Sequence, residues 1–346
     1  MNGILTFHDG INYGCFLQVY ALQKTLNSLG YDSKILNYKS PRHWFMEYWC
    51  FLRPQRPAKI VENVRKIRRF KVAQRQLGLT DFSFSAEAFN SQNFETIVFG
   101  SDEIWNYQNQ VVGYSPAYFG AGLTAKNLVA YAVSCGSVDA GEPISSEVKE
   151  LLLRFNAIFV RDLNTQKFVH RAVGYRPELV LDPTLLYNFA SEEVDIPEDN
   201  FIMVYSNKFD PTYVDEVRDY ANSKGKKLIS VGYKNSFCDR SIVDIGPFEF
   251  LGYVRRAEYV ITNMFHGTLF SVKYGKQFCI MRDPVRSNKL TTILSMLGLN
   301  DRVVTNEKSV HDILSEPICY EKIHNILEGE RERSVALLVG ALASRS

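Results

Sequence analysis

Hydrophobic positions in the first forty residues follow two alternating periods. A short apolar run at Gly3–Phe7 predicts a buried strand. Apolar residues spaced three and four apart from Val19 to Leu29 mark one face of a helix, which Gly30 can end. Lys34–Tyr38 then predicts a second strand. This strand, helix and strand predict the βαβ unit of a parallel sheet.

The same alternation continues along the chain. Further strands are predicted at 96–99, 128–133, 157–161 and 179–181, and then at 201–205, 227–231, 258–262 and 277–281. Helices are predicted to begin near Ser145, Leu163, Pro211, Pro247, Gly267 and Ser287. The pattern predicts an α/β protein with two Rossmann-like parallel-sheet domains that face a cleft.

The predicted domain boundaries follow from this alternation. Residues 1–190 form the first domain, with a basic and aromatic insertion at about 41–80, and residues 198–315 form the second. The acidic segment 191–200 between them is predicted to be a linker. Residues 316–346 predict a C-terminal helix that packs back on the first domain.

Composition narrows the class of protein. No apolar run approaches the roughly 20 residues of a membrane-spanning helix, and no cation precedes the short apolar stretch at the N-terminus. Six cysteines lie far apart without a C-x-x-C spacing, which indicates reduced thiols rather than disulfides or a zinc site. We therefore expect a cytoplasmic protein.

The net charge of +2 argues against a nucleic-acid-binding protein but conceals a gradient. Residues 53–75 carry nine Lys or Arg and one acid, Glu62, directly after an aromatic cluster at 44–51. Apolar residues at Ile60, Val64, Ile67 and Phe70 predict an amphipathic helix. Residues 44–75 either contact the inner face of the cytoplasmic membrane peripherally, or form a solvated helix over a small aromatic core.

Four loops after predicted strands carry candidate chemistry, because ligands bind open α/β sheets at the carboxyl ends of their strands. In the first loop, Asn12, Tyr13 and Gly14 either approach a ligand or form an ordinary turn before a helix. A G-x-G-x-x-G dinucleotide motif is absent there. In the second loop, Asp102 and Trp105 either bind a sugar or serve as a helix N-cap and a core residue.

The third loop places Arg161 between a strand and a helix, where it is either a fork for an anion or part of a surface ion pair. The fourth loop, Thr262–Thr268, brings His266 and Gly267 to a helix N-terminus. His266 is there either a proton donor or phosphate contact, or a structural histidine. Arg282, Arg286 and Lys289 follow the next strand as a basic rim.

The sequence contains no motif that is typical of a metal site or of a serine nucleophile. The six histidines form no H-x-x-x-H pair, no D-x-D pair is present, and no G-x-S-x-G occurs. We therefore expect no metal ion and no cofactor.

Taken together, these motifs resemble those of the polysaccharide pyruvyl transferase family. The family pattern N-Y-G-x-x-L-Q-x-Y-A-L is matched from Asn12 to Leu22, and G-S-D-Q-x-W from Gly100 to Trp105. The Arg-Asp pair at 161–162, L-D-P-T at 181–184 and T-D-S-F-H-G-T at 262–268 follow in the same order. This chain differs at Glu103 for Gln, Asn263 for Asp and Met264 for Ser.

The resemblance implies a GT-B-like fold and transfer of a pyruvyl group from phosphoenolpyruvate to two sugar hydroxyls, with release of phosphate. The first domain would take the acceptor and the second the donor. The implied phosphoenolpyruvate ligands are Arg161, Arg282, Lys289, Gly267 and Thr268, with His266 as the proton donor. Asp102 is the candidate base, and the implied acceptor contacts are Asn12, Tyr13, Gly14 and Trp105.

Two alternatives stay open at this point. One is a metal-independent GT-B glycosyltransferase that uses a nucleotide sugar or CMP-sialic acid. The other is a sugar-binding protein of two lobes without catalysis. For the pyruvyl transferase, the acceptor is a polysaccharide or its polyprenyl-diphosphate-linked precursor, and nucleic acid is not expected as a partner.

Overall fold

The structure is a computed structural model of the protein, and it describes residues 1–54, 56–282 and 287–343. The described chain divides into two units. Unit 1 contains Met1–Pro54, Gln74–Tyr187 and the chain from Leu327 onward. Unit 2 contains residues 56–73 and Asn188–Ile326.

The secondary structure alternates as a parallel α/β chain requires. The strands are β1 (Asn2–Leu5), β2 (Ser33–Ile35), β3 (Thr96–Phe99), β4 (Asn127–Val133), β5 (Ala157–Val160), β6 (Glu178–Leu179), β7 (Phe201–Tyr205), β8 (Lys227–Val231), β9 (Arg240–Ile242), β10 (Tyr259–Thr262) and β11 (Gln277–Ile280). The helices are α1 (Tyr13–Ser28), α2 (Pro41–Leu52), α3 (Pro57–Gln74), α4 (Ser146–Leu152), α5 (Leu163–Val173), α6 (Pro183–Leu186), α7 (Val214–Ser223), α8 (Pro247–Arg256), α9 (Phe265–Lys273), α10 (Ser287–Leu297), α11 (Val310–Ser315) and α12 (Tyr320–Ala343). Short 3₁₀ helices lie at Glu87–Gln92, Pro116–Phe119, Pro211–Tyr213 and Asn300–Arg302.

Each unit contains one fully parallel sheet. In unit 1 the strand order is β2-β1-β3-β4-β5-β6, and in unit 2 it is β11-β10-β7-β8-β9. Central strands are buried along their length, as every residue of β3 and of β7 is. Their continuous apolar sequences are typical of strands covered on both faces.

The strand order determines where a ligand can bind. In unit 1 the chain crosses from β1 to β2 on one side and to β3 on the other. In unit 2 the strands β8 and β10 flank β7 in the same way. The crevice at such a switch point opens at the carboxyl ends of the strands, so the loops after β1, β3, β7 and β10 are the candidate sites.

Helix α3 packs within unit 2, which differs from the predicted first domain of residues 1–190. Its Phe70 is fully buried. The buried Lys66 donates to the carbonyl oxygen of Gly232 at 2.9 Å, and Arg65 pairs with Asp244 at 3.7 Å. Part of the basic charge of residues 53–75 is therefore satisfied inside unit 2.

The acidic segment that was predicted as a linker is attached to unit 2. Glu193 lies 3.2 Å from the guanidinium of Arg255, and Glu198 accepts from Arg240 at 2.8 Å. Gly252 of α8 allows this attachment, because a Cβ atom there would lie 2.1 Å from the carbonyl oxygen of Val194. The close approach requires glycine.

Replacing Gly252 by alanine should lower the free energy of unfolding by about 1–3 kcal/mol, because the added methyl group forces the 194 backbone away from α8. Alanine normally stabilises a helix relative to glycine, so helix propensity alone would predict a gain in stability where we expect a loss. Urea unfolding measures the difference.

Gly329 of α12 provides the matched control. A Cβ atom there meets nothing within 4 Å, so Gly329→Ala should be neutral or stabilising by up to about 1 kcal/mol. A Gly252→Ala protein as stable as the wild type would contradict the close contact between α8 and Val194.

Candidate functional site

The loop after β1 carries Asp9, which forms a partly buried ion pair with Lys39. The ammonium of Lys39 lies 3.1 Å from the carboxylate of Asp9. Burial alone would raise the pKa of Asp9, but His8 and Lys39 outweigh it and hold that pKa below its usual value. Asp9 therefore contributes a carboxylate, not a carboxylic acid, to the edge of the sheet at neutral pH.

The loop after β3 is held by a buried amide. The side-chain oxygen of Gln18 accepts from the hydroxyl of Ser101 at 2.7 Å, and Thr6 donates to the carbonyl oxygen of Ser101 at 2.9 Å. The next residue, Asp102, has a φ of +69°, a left-handed conformation that few non-glycine residues adopt. This network fixes the loop so that the partly exposed carboxylate of Asp102 lies at the carboxyl end of the sheet.

Arg161, directly after β5, lies between two carboxylates. Its guanidinium donates to Asp182 at 2.7 Å and lies 3.7 Å from Asp102, and its side chain is 3% exposed. Burial alone would lower the pKa of Arg161, but Asp182 and Asp102 outweigh it and raise that pKa. The motif Leu181–Thr184 thus supplies the partner of Arg161, which the sequence did not reveal.

Two aspartates in these motifs also begin helices. Asp162 accepts from the backbone of Thr165 at 2.7 Å at the start of α5, and Asp182 accepts from the backbone of Thr184 at 3.0 Å at the start of α6. A side-chain acceptor at this position satisfies a free helix N–H group. Asp followed by a helical pattern is the sequence signal for such a cap.

Trp105 cannot contact a sugar as predicted. Its ring is fully buried, stacks on Phe119 with a centroid distance of 5.7 Å, and donates to the carbonyl oxygen of Tyr118 at 2.9 Å. The core interpretation of this tryptophan is the one that the structure supports, because a ring without exposed area has no face for a ligand.

Asn12, Tyr13 and Gly14 form the entry to α1. Asn12 caps the helix by accepting from the backbone of Cys15 at 3.1 Å, while Tyr13 is 1% exposed and Gly14 is buried. A buried Tyr13 ring offers no surface to an acceptor sugar, which corrects that prediction. Asn12 is the partly exposed member of the three.

Cys15, in the first turn of α1, is a buried thiol. Burial raises its pKa well above the usual value, and Asp102, Glu47 and Asp9 raise it further. These surroundings disfavour the thiolate, which is the reactive form.

In unit 2, the motif Thr262–Thr268 builds the start of α9. The hydroxyl of Thr262 donates to the carbonyl oxygen of Tyr205 at 2.7 Å and accepts from the backbone of Met264 at 3.0 Å. A Cβ atom on Gly267 would lie 2.3 Å from that hydroxyl oxygen. Gly267 therefore lets α9 approach the strand ends closely, and Thr268 is fully buried with its hydroxyl donating to Met264 at 3.3 Å.

Asn263 lies at the same edge with its amide buried. Its nitrogen donates to the carbonyl oxygen of Lys208 at 3.0 Å, and the residue is 3% exposed. Within the part of the chain that the structure describes, its side-chain oxygen has no hydrogen-bond donor, and neither does the buried hydroxyl of Ser206. Two buried polar atoms at the ends of β10 and β7 thus have no hydrogen-bond partner among the described residues.

His266 is the second residue of α9 and is partly exposed. Its ring packs edge-on against Phe265 with a centroid distance of 5.1 Å. Among the predicted cations, Arg282 is exposed just after β11 and Lys289 is partly exposed in α10, while Arg286 lies outside the described residues. The histidine and these cations thus follow neighbouring strands of one sheet.

The remaining described residues contain neither a metal cluster nor a membrane-spanning helix. No three His, Cys, Asp or Glu side chains gather there as a metal site would require. No helix there is long and apolar enough to cross a bilayer. A cavity of about 560 Å³ lies at the opposite, amino ends of the unit 1 strands, lined by Asn2, Thr96 and Asn127. The candidate chemistry lies at the carboxyl ends instead, where parallel sheets bind their ligands.

Solved structures share the fold at low sequence identity. The glycotransferase of kitacinnamycin has a TM-score of 0.52 at 10% identity, over 98% of this chain and 97% of that one. UDP-GlcNAc 2-epimerases from Methanocaldococcus jannaschii (TM-score 0.49, 10% identity, 98% and 99% covered) and Neisseria meningitidis (0.49, 9%, 99% and 99%) are also similar. These likenesses concern the fold alone, and the predicted GT-B-like class of two parallel-sheet domains is confirmed.

Comparison with curated proteins gives no significant match. The family model of the polysaccharide pyruvyl transferases, in contrast, matches residues 12–282. That range begins at Asn12, the last residue before α1, and contains the loops after β3, β5, β7 and β10 described above. The chain therefore belongs to the polysaccharide pyruvyl transferase family and is a transferase enzyme.

Proposed function

We propose that the protein transfers a pyruvyl group from phosphoenolpyruvate to two hydroxyls of a sugar in a polysaccharide or in its lipid-linked precursor. The products are a cyclic pyruvate ketal and free phosphate. The observation that carries the proposal is the carboxyl edge of the unit 2 sheet, where α9 begins with His266 next to the buried Asn263, in a chain of this family.

Proton transfer, and not cofactor chemistry, is what the proposed reaction requires of the protein. Two C–O bonds form between the sugar oxygens and C2 of phosphoenolpyruvate, and the C–O bond from C2 to the phosphate breaks. One hydroxyl proton reaches the methylene carbon, which becomes a methyl group, and the other reaches the phosphate. The protein must therefore supply an acid for the donor and a base for the acceptor.

The start of α9 suits the donor because phosphoenolpyruvate is small and strongly anionic. Free N–H groups and the helix dipole favour an anion at a helix N-terminus, and α9 has no acidic residue in its first turn. The amide of Asn263 is neutral, so it adds no negative charge beside that N-terminus. Arg282 and Lys289 are the proposed supporting cations.

His266 is the proposed acid. We propose that its ring, in the first turn of α9 and partly exposed, transfers a proton to the methylene carbon or to the departing phosphate. Gly267 and Thr268 remain predicted donor-side residues. Gly267 lets α9 approach the strand ends closely, whereas the backbone N–H of Thr268 donates to the carbonyl oxygen of Met264 at 3.0 Å.

The unit 1 edge suits a neutral, hydroxylated acceptor. Asp9 and Asp102 present carboxylates there, and carboxylates accept hydrogen bonds from hydroxyl groups. Asp102 remains the proposed base, and Asn12 the proposed contact. Arg161 remains a predicted ligand of phosphoenolpyruvate, but its charge is already balanced by Asp182 and Asp102.

Replacing His266 by alanine should reduce turnover by about 10²–10⁴-fold, because the general acid is lost. Phosphate release from phosphoenolpyruvate in the presence of galactosides, mannosides and glucosides measures turnover, and mass spectrometry detects the ketal. His324→Ala, which changes an exposed histidine of α12, is the matched control and should retain activity. Full turnover in His266→Ala would remove the proposed acid.

Phosphoenolpyruvate alone should stabilise the protein, by about 2.7 kcal/mol at a hundred times its dissociation constant. A thermal-shift titration against UDP-sugars and CMP tests this, with inorganic phosphate as the control for a general anion effect. Stabilisation by nucleotides and not by phosphoenolpyruvate would identify a glycosyltransferase and refute the proposal.

Asp102→Asn should lower kcat by at least about 10²-fold, because an amide cannot accept the hydroxyl proton. The thermal shift caused by phosphoenolpyruvate should persist in this variant, since the proposed donor site lies in unit 2. Asp139→Asn, outside the motif, should leave kcat unchanged. Normal kcat in Asp102→Asn would require another base.

A further inference from the structure

Helix α2 of unit 1 exposes its apolar residues instead of burying them. Trp44, Phe45, Trp49 and Leu52 are 41%, 59%, 50% and 47% exposed. On the inner side, His43 is 8% exposed, and Glu47 accepts from the backbone of Ile11 at 2.7 Å. The polarity of this helix is thus the reverse of that expected for a helix on a soluble surface.

The exposed rings form a continuous patch. Phe45 stacks on Trp49 with a centroid distance of 6.0 Å and an interplanar angle of 14°, and Trp44 lies 6.1 Å from Phe84. Phe84 in turn contacts Phe82 at 4.6 Å. Large exposed apolar patches on a folded protein mark interaction surfaces.

The charges around α2 are positive. Arg42 near its start and Arg53 directly after its end are exposed. Glu47, the acid within the helix, is directed to Ile11. Asp81 precedes Phe82 in the sequence, so this acidic residue lies next to the Phe82 end of the patch and not in α2.

We propose that the outer face of α2, formed by Trp44, Phe45, Trp49 and Leu52, is an anchor that lies in the interface of an anionic lipid bilayer. Tryptophan and phenylalanine with adjacent arginines are the composition of helices that insert one apolar face between lipid headgroups. Anionic headgroups complement the positive flanks.

A second copy of the chain fits this face less well. A two-fold contact brings the same surface of both copies together, so the positive flanks of the two helices would repel each other. Anionic lipid attracts the same flanks, and it therefore is the occupant that the charges favour.

The anchor does not include the apolar face predicted for residues 60–70. Phe70 is fully buried in unit 2, and Lys66 is 5% exposed and bonded to Gly232. The membrane contact predicted for residues 44–75 is thereby narrowed to α2 and its flanking cations. A membrane anchor favours a lipid-linked acceptor for the proposed function. Only this preference rests on the proposed function, and the anchor itself does not.

Co-sedimentation of the full chain with vesicles tests the anchor. We expect binding to vesicles of equimolar phosphatidylcholine and phosphatidylglycerol, and much weaker binding to phosphatidylcholine alone. Trp105 is fully buried, so a blue shift of tryptophan emission on binding reports Trp44 and Trp49.

The double variant Phe45→Ser with Trp49→Ser should lower the partition coefficient at least about tenfold, because two half-exposed aromatic side chains no longer insert. Arg53→Glu should lower it at least about fivefold on the anionic vesicles. Leu153→Ser with Tyr175→Ser, which removes two exposed apolar side chains elsewhere in unit 1, is the matched control and should bind normally.

Three outcomes would overturn the anchor: no binding to anionic vesicles, unchanged binding of the Phe45 and Trp49 double variant, or a dimer in sedimentation equilibrium that this variant abolishes. Phosphate release with a water-soluble acceptor should be normal in the double variant. In the wild-type protein, absence of vesicle binding with normal phosphate release would refute the anchor alone, and vesicle binding without phosphate release would refute the proposed function alone.

Discussion

Parallel strands that are covered on both faces leave no place for polar chemistry along their length. All residues of β3 and β7 are buried, so the functional side chains of both units lie in the loops at the carboxyl ends of the strands. The strand order then selects which of these loops open onto a crevice. The position of Asp102 and of His266 follows from this constraint before any chemistry is considered.

A buried charge imposes a second constraint on unit 1. Removing one partner of a buried ion pair typically costs about 3–5 kcal/mol, because the other charge is left without compensation. Arg161 connects the loops after β3, β5 and β6 through Asp102 and Asp182. One guanidinium therefore connects three loops, with Asp182 hydrogen-bonded to it at 2.7 Å and the candidate base Asp102 attracted to it at 3.7 Å.

The sequence predicted the elements that have a strong local signal. Strands at Thr96–Phe99 and Phe201–Tyr205 are confirmed because each is a continuous apolar run between polar residues. The short β9 at Arg240–Ile242 was not predicted, because its polar sequence is held by pairing with β8. The partners of Arg161 and Trp105 were not predictable either: Asp182 and the Tyr118 carbonyl are distant in sequence, and only the folded chain brings them close.

Helices α2 and α3 show that an apolar sequence pattern predicts an apolar helix face but not which part of the protein covers that face. The spacing of Ile60, Val64, Ile67 and Phe70 predicted one apolar face on α3, but Val64 is 49% exposed, whereas Phe70 and the charged Lys66, which donates to Gly232, are buried in unit 2. In α2 His43 and Glu47 face the protein, and Glu47 accepts a hydrogen bond from the backbone of Ile11. The rings of Phe45 and Trp49 are then left outside, and a large exposed apolar patch of this kind marks an interaction surface.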